Sequence, residues 1–378
     1  MIEYATLRII WWALLGFLLI AFALTDGFDL GVAALLPWVA RTDVERRISI
    51  NSIGPVWEGN QVWFILSGGV LFAAWPYLYA VAFSGFYFAM LLALLTLILR
   101  PVGFKYRSKI AHRRWRFTWD WILSVSGVVT ALVFGVAVGN VIQGIPFYFD
   151  QDLRPYYTGS FIALFNPFAL LCGLVSISMI VMHGGLYLSL KTENDLQHRA
   201  LRSARWAAGI VIILFLLAGV DIVYGVKGYL LTQPMDPGSM SNPLHKQVGE
   251  QIGAWVANFM EYPLGWGAPL LGVIGALGVI ILPRKLSRFA FMLSGVSIIG
   301  IISTVGLSMF PFILPSSTHP EASLLVWDAS ASALSLSIML VGVIIFLPII
   351  AIYTAWVYRI LRGKITSHYI DSNKNSVY

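Results

Sequence analysis

Nine stretches of this chain each supply about the 20 mostly apolar residues that a helix needs to cross hydrocarbon. They are 7–36, 57–75, 77–99, 119–142, 159–189, 204–226, 263–283, 289–313 and 331–358, separated by charge clusters or by helix-stopping pairs such as Trp75-Pro76. That pattern makes the 378-residue chain an all-α polytopic membrane protein. Charged residues are only 11% of the total, against about 25% in soluble proteins. A water-soluble enzyme, an extracellular disulfide scaffold and a disordered protein are excluded. The single cysteine, Cys172, forms no internal disulfide and no thiolate metal cage. The first apolar run is too long for a signal peptide, and Met1 to Thr6 carries only Glu3.

Basic residues set the orientation, because Lys and Arg are retained on the cytoplasmic side. Arg41, Arg46 and Arg47 lie in the first connection, and Arg100, Lys105, Arg107, Lys109, Arg113, Arg114 and Arg116 in the third. Lys191, Arg199, Arg202 and Arg205 follow, then Arg284, Lys285 and Arg288, then Arg359, Arg362, Lys364 and Lys374 of the tail. Those are 21 of the 25 basic residues; Arg8, Arg154, Lys227 and Lys246 fall on the other side. An odd number of spans then places the N-terminus outside and the C-terminus in the cytoplasm. The net charge of +7 is a topology signal with some attraction to anionic lipid, and nucleic acid has no footing.

The expected organisation is one integral-membrane domain of two four-helix bundles and a peripheral ninth helix. The first bundle occupies 1–142 with the basic loop 100–118, the second 143–313 with the outer loop 227–262, and the ninth helix and tail 314–378. Spans 1 and 5 share an echo, Thr25-Asp26-Gly27 against Met182-His183-Gly184, which leaves internal duplication open. The 227–262 segment reads as a loop with one short helix around Lys246–Phe259. Ser67-Gly68-Gly69 reads as a place for close helix packing. Trp11, Trp12, Trp75, Trp255 and Trp327 read as an interfacial belt, which mid-span Trp63 does not join.

Of the six histidines only His183 lies within a span, so no pair of membrane histidines is available for a bis-His haem. Ionisable residues in lipid are costly and default to function. Asp26 and Asp29, three apart, share roughly one helix face in the cytoplasmic half of span 1. Glu58 begins span 2 on that side, followed by Asn60 and Gln61; Arg100 ends span 3, and Asp120 starts span 4. Four carboxylates and an arginine are thus expected at one depth, as a proton path or partner contact. The plainer alternative makes Glu58 and Asp120 helix-start residues favoured by the macrodipole, with Arg100 paired to one of them. Asp328, just before span 9, reads as an N-cap, and Asp221 as paired or snorkelling at the interface.

Several blocks closely resemble subunit II of cytochrome bd quinol oxidases: Tyr4 to Gly31, Asn51–Phe64, Phe72–Tyr87, Arg100–Ile110, Met309–Ser317 and Trp327–Ser337. The resemblance implies a complex in the bacterial cytoplasmic (inner) membrane with a periplasmic N-terminus. It is a heterodimer with a subunit I, or a larger complex with small accessory membrane subunits as well. Such an enzyme oxidises quinol, reduces O2 to water and builds a proton gradient. Haem b and haem d are ligated by subunit I, and subunit II supports it, helps to supply protons, and in some members holds a structural quinone. Members carry Asp or Glu at the position of Glu58, implicated in a proton path, and Trp63 resembles a residue beside a proposed oxygen route. A proton-coupled secondary transporter with Asp26, Asp29 and Glu58 as coupling carboxylates is the rival reading.

Overall fold

A computed structural model describes residues 2–372 and 378, Asp371 by its backbone alone; Lys374 of the expected cytoplasmic set lies outside them. Helix α1 (Tyr4–Val39) runs for 36 residues, about 54 Å at 1.5 Å per residue. It exceeds the roughly 30 Å of hydrocarbon and so reaches both surfaces. A capping box of Thr42 and Glu45 starts α2 (Asp43–Ile53). The next apolar stretch is α3 (Trp57–Asn60) and α4 (Val62–Ala74), interrupted at Gln61, and then α5 (Pro76–Gly85) and α6 (Tyr87–Tyr106). The chain continues through α7 (Arg113–Gln143), α8 (Pro167–Lys191) and α9 (Asn194–Tyr224). After α10 (Ala257–Glu261) come α11 (Gly267–Ile281), α12 (Ser287–Met309), α13 (Ala333–Ile360) and α14 (Ser367–Ser372).

Among the described residues, eight helical segments are long and apolar enough to cross a membrane: α1, α6, α7, α8, α9, 263–281 (with α11), 284–309 (with α12) and α13. The expected span 57–75 is absent from that set because its break leaves α4 only 13 residues. Its ends nevertheless lie far apart: the Asn60 amide donates to Asp29 of α1, while the Ala74 carbonyl accepts from the Ala331 amide beside the start of α13.

The long helices pack through small residues. At Gly31 of α1 a Cβ would stand 2.0 Å from the Ile180 carbonyl oxygen of α8, and at Gly184 of α8 it would meet the Gly31 carbonyl carbon at 2.6 Å. No side chain fits either position. Gly68 and Gly69, expected in such a contact, have nothing within 4 Å of a built Cβ; they face away from this chain.

Among the described residues, three antiparallel hairpins cover the end of the bundle opposite the arginine-rich connections. They are β1 (Phe147–Phe149) with β2 (Pro155–Tyr157), β3 (Lys227–Leu231) with β4 (Val248–Ile252), and β5 (Phe312–Leu314) with β6 (Leu324–Leu325). The short helix expected around Lys246–Phe259 is therefore confined to α10, because Val248–Ile252 instead pair with β3. Trp11, Trp75 and Trp255 are no interfacial belt: all are at most 2% exposed. Trp11 donates to the Leu336 carbonyl and Trp255 to the Ile142 carbonyl. Carbonyls at the ends of α13 and α7 supply those acceptors, so the indoles are buried in protein rather than in lipid.

Candidate functional site

Asp26 and Asp29 lie on the same side of α1, as their spacing requires, and both side chains are wholly buried. Arg100, near the end of α6, meets Asp26 with two parallel hydrogen bonds, Nη2 to Oδ1 at 2.7 Å and Nη1 to Oδ2 at 3.0 Å. Its guanidinium also lies 5.9 Å from the Trp57 ring, within cation–π range. Asp29 makes a different contact: its Oδ2 accepts from Asn60 Nδ2 at 2.7 Å. The Asn60 Oδ1 in turn accepts from the Tyr358 hydroxyl of α13 at 2.5 Å. Among the described residues, Asp29 Oδ1, Arg100 Nε and Trp57 Nε1 of this cluster have no hydrogen-bond partner. Two carboxyls beside one guanidinium, continued by an amide and a phenol, form a set able to hold or pass a proton.

The expected gathering at one depth divides into separate places. Asp120 is buried apart from Asp26, accepting from Arg107 Nε at 2.5 Å and Arg46 Nη1 at 2.8 Å. Since α7 begins at Arg113, Asp120 sits two turns inside the helix, and the helix-start reading is corrected. Arg107 also bonds Asp43 at 2.9 Å, and Arg116 bonds Asp43 at 2.7 Å. Burial pulls the Arg107 guanidinium down, but Asp120 and Asp43 outweigh it and hold it above its ordinary value. Arg100 pairs with neither Glu58 nor Asp120. Glu58 is exposed in α3; no hydrogen bond or ion pair is recorded for it among the described residues. Asn60, two residues on, points inward while Glu58 points out. Gln61 is half-buried at the break. Trp63 is buried among Leu18 and Phe22, with its indole nitrogen unpartnered.

His183 does not suit a haem iron. Its Nε2 lies 3.0 Å from the Leu24 carbonyl, so that nitrogen carries hydrogen, and Nδ1 lies 2.7 Å from the Ser294 hydroxyl. Both ring nitrogens are occupied, and the ring stacks on Phe291 at 4.5 Å. The other five histidines are exposed. Among the described residues no group of three or more His, Cys, Asp or Glu is placed to hold a metal ion.

A second buried polar network had no clear sign in the sequence. Arg8 is 0% exposed and donates to Ser330, Ser241 and the carbonyls of Pro237 and Ser239, with Tyr4 against its face at 3.6 Å. Nearby, Lys246 meets Asp328 at 2.5 Å. Asp328 is thus no cap for α13, whose N-cap is Ser332. Burial pushes Asp328 up and Lys246 down, each opposed in part by the other's charge. Tyr358, one of two phenols near the end of an apolar helix, has no sequence signal that sets it apart from Tyr353.

The profile described as cytochrome bd terminal oxidase subunit II matches residues 7–361. Cytochrome bd-I ubiquinol oxidase subunit 2 of Escherichia coli K12 is 50% identical over 100% of both chains. The probable cytochrome oxidase subunit 2 of Haemophilus influenzae is 48% identical over the same full coverage. A chain of the bd oxidase from Geobacillus thermodenitrificans superposes with a TM-score of 0.65 at 14% identity, covering 95% of this chain and 100% of that one; it shows the fold. These similarities do not favour the transporter reading.

Proposed function

The chain belongs to the cytochrome bd terminal oxidase subunit II family, and from that premise we propose that it works as the non-haem subunit of a quinol-oxidising, O2-reducing complex in the bacterial inner membrane. Haem b and haem d belong to subunit I in this reading, which the occupied nitrogens of His183 support; haem supplies the electron transfer and oxygen chemistry. The isolated chain is then not catalytic. Quinol and O2 are substrates of the complex, with small accessory subunits and a structural quinone as further family components. Trp63 borders the oxygen route. The broken segment 57–74 makes the ninth crossing, with the N-terminus periplasmic, and the helices divide into two four-helix bundles plus α13.

The observation that carries a proton-supplying role is the wholly buried Asp29, whose Oδ1 is unpartnered beside the Asn60–Tyr358 line. Buried groups of this kind need a functional reason. Asp26, locked to Arg100, sets the field of the site, and Asp120 anchors the cytoplasmic connections. Glu58 takes protons from the cytoplasmic side and presents them to subunit I, since an exposed carboxylate on a membrane helix calls for a covering partner.

The test is oxygen consumption by the assembled complex carrying Glu58→Gln or Glu58→Asp. Gln keeps the shape without the acid and is expected to slow turnover about tenfold or more, whereas Asp keeps much of the rate, both with normal haem content. Wild-type turnover in Gln would reduce Glu58 to a helix-start residue. Loss of haem would make it structural.

A further inference from the structure

We propose that the groove between α6 and α7, at their arginine-rich ends, is a binding site for one anionic phospholipid. The groove has a volume of about 360 Å³ and is walled by Leu99, Phe117, Trp121, Ile122 and Val125, with the Thr118 hydroxyl within it. Phe117, Trp121 and Val125 are 54%, 37% and 51% exposed, so it opens on the outside of the chain. Trp121 meets the exposed Trp38 of α1 edge-on at 5.6 Å, and paired indoles of this kind mark the headgroup level.

Charge at the mouth selects the headgroup. Arg113 and Arg114 stand one turn before Phe117 and Thr118, on the same helical face, and side chains on a helix lean towards its N-terminus, here away from the hydrocarbon. Lys105 and Lys109 are exposed nearby. The carboxylates of this region are already taken: Asp120 by Arg46 and Arg107, Asp43 by Arg107 and Arg116. No ion pair is recorded for Lys105, Lys109, Arg113 or Arg114 among the described residues. An acyl chain fills the apolar groove while a phosphate meets the two arginines and accepts from Thr118, for which no hydrogen bond is recorded.

The experiment uses the complete complex, stripped of lipid and titrated with phosphatidylglycerol or with phosphatidylcholine of the same acyl chains, read by native mass spectrometry. One phosphatidylglycerol is expected to bind in preference. Arg113→Gln/Arg114→Gln should weaken it on the order of 30-fold, from about a fivefold loss for each of the two surface cations. Val125→Trp, which fills the groove and leaves the charge, should also lose the bound lipid. Lys285→Gln/Arg288→Gln, an equal charge change on another connection, should keep it. The proposal is overturned if the double arginine variant retains the wild-type preference, if the control loses as much, or if Val125→Trp binds as wild type.

Discussion

Arg100 shows how burial raises the stakes of a single charge. Both it and Asp26 are wholly buried, so removing either leaves the other uncompensated, a loss of about 3–5 kcal/mol. Arg100→Ala is therefore expected to lower the melting temperature of the complex. Arg100→Lys keeps the charge but gives up the two-pronged contact and should fall between. The apolar pair Arg100→Met/Asp26→Leu should regain most of the stability. Melting of the haem-bearing complex checks this series, and a double variant as unstable as Arg100→Ala would mean that the lost contact, not a stranded charge, sets the cost. Asp29 differs because its hydrogen-bond partner is an amide rather than a cation.

Elements are joined at the arginine-rich end by α2 (Asp43–Ile53), which lies outside the spanning helices. Glu45 accepts from the backbone amides of Arg41 and Thr42 and from Arg199 of α9, so one carboxylate caps α2 and ties it to the second half of the chain. Burial pushes Glu45 up, but these donors outweigh it and hold the carboxyl below its ordinary 4.5. A depressed carboxyl contributes stability that is complete above its unfolded value and lost as pH falls through the folded one. The protection of α2 against hydrogen exchange, corrected for the intrinsic pH dependence of amide exchange, should accordingly be constant above about pH 4.5 and fall below it. In Glu45→Gln that acid-induced step should be much reduced; an unchanged step would place the titration elsewhere.

At the scale of the whole molecule, hairpins and buried ion contacts close one end while arginine-rich connections crowd the other. Reporter fusions at Lys109 and Lys285 should read cytoplasmic and one at Met240 external; a cytoplasmic signal at Met240 would refute the orientation. Hydropathy alone established the membrane class, and the spacing of Asp26 and Asp29 placed both on one side of α1, because a helix advances 1.5 Å and turns 100° per residue whatever surrounds it. Long blocks such as Tyr4 to Gly31 carried the family. Depth along a helix, however, says nothing about which neighbour a side chain faces. Arg100 reaches Asp26 across 74 residues, and Asn60 reaches Tyr358 across 298, through the rotation of the packed helices. The same packing turned Glu58 outward, drew Trp11 and Trp75 under the hairpins and gave Asp328 to Lys246. Composition and periodicity determined what had to leave water; tertiary packing decided the partner of each buried charge, because a desolvated charge takes whatever counter-charge or donor the neighbouring helix brings within reach.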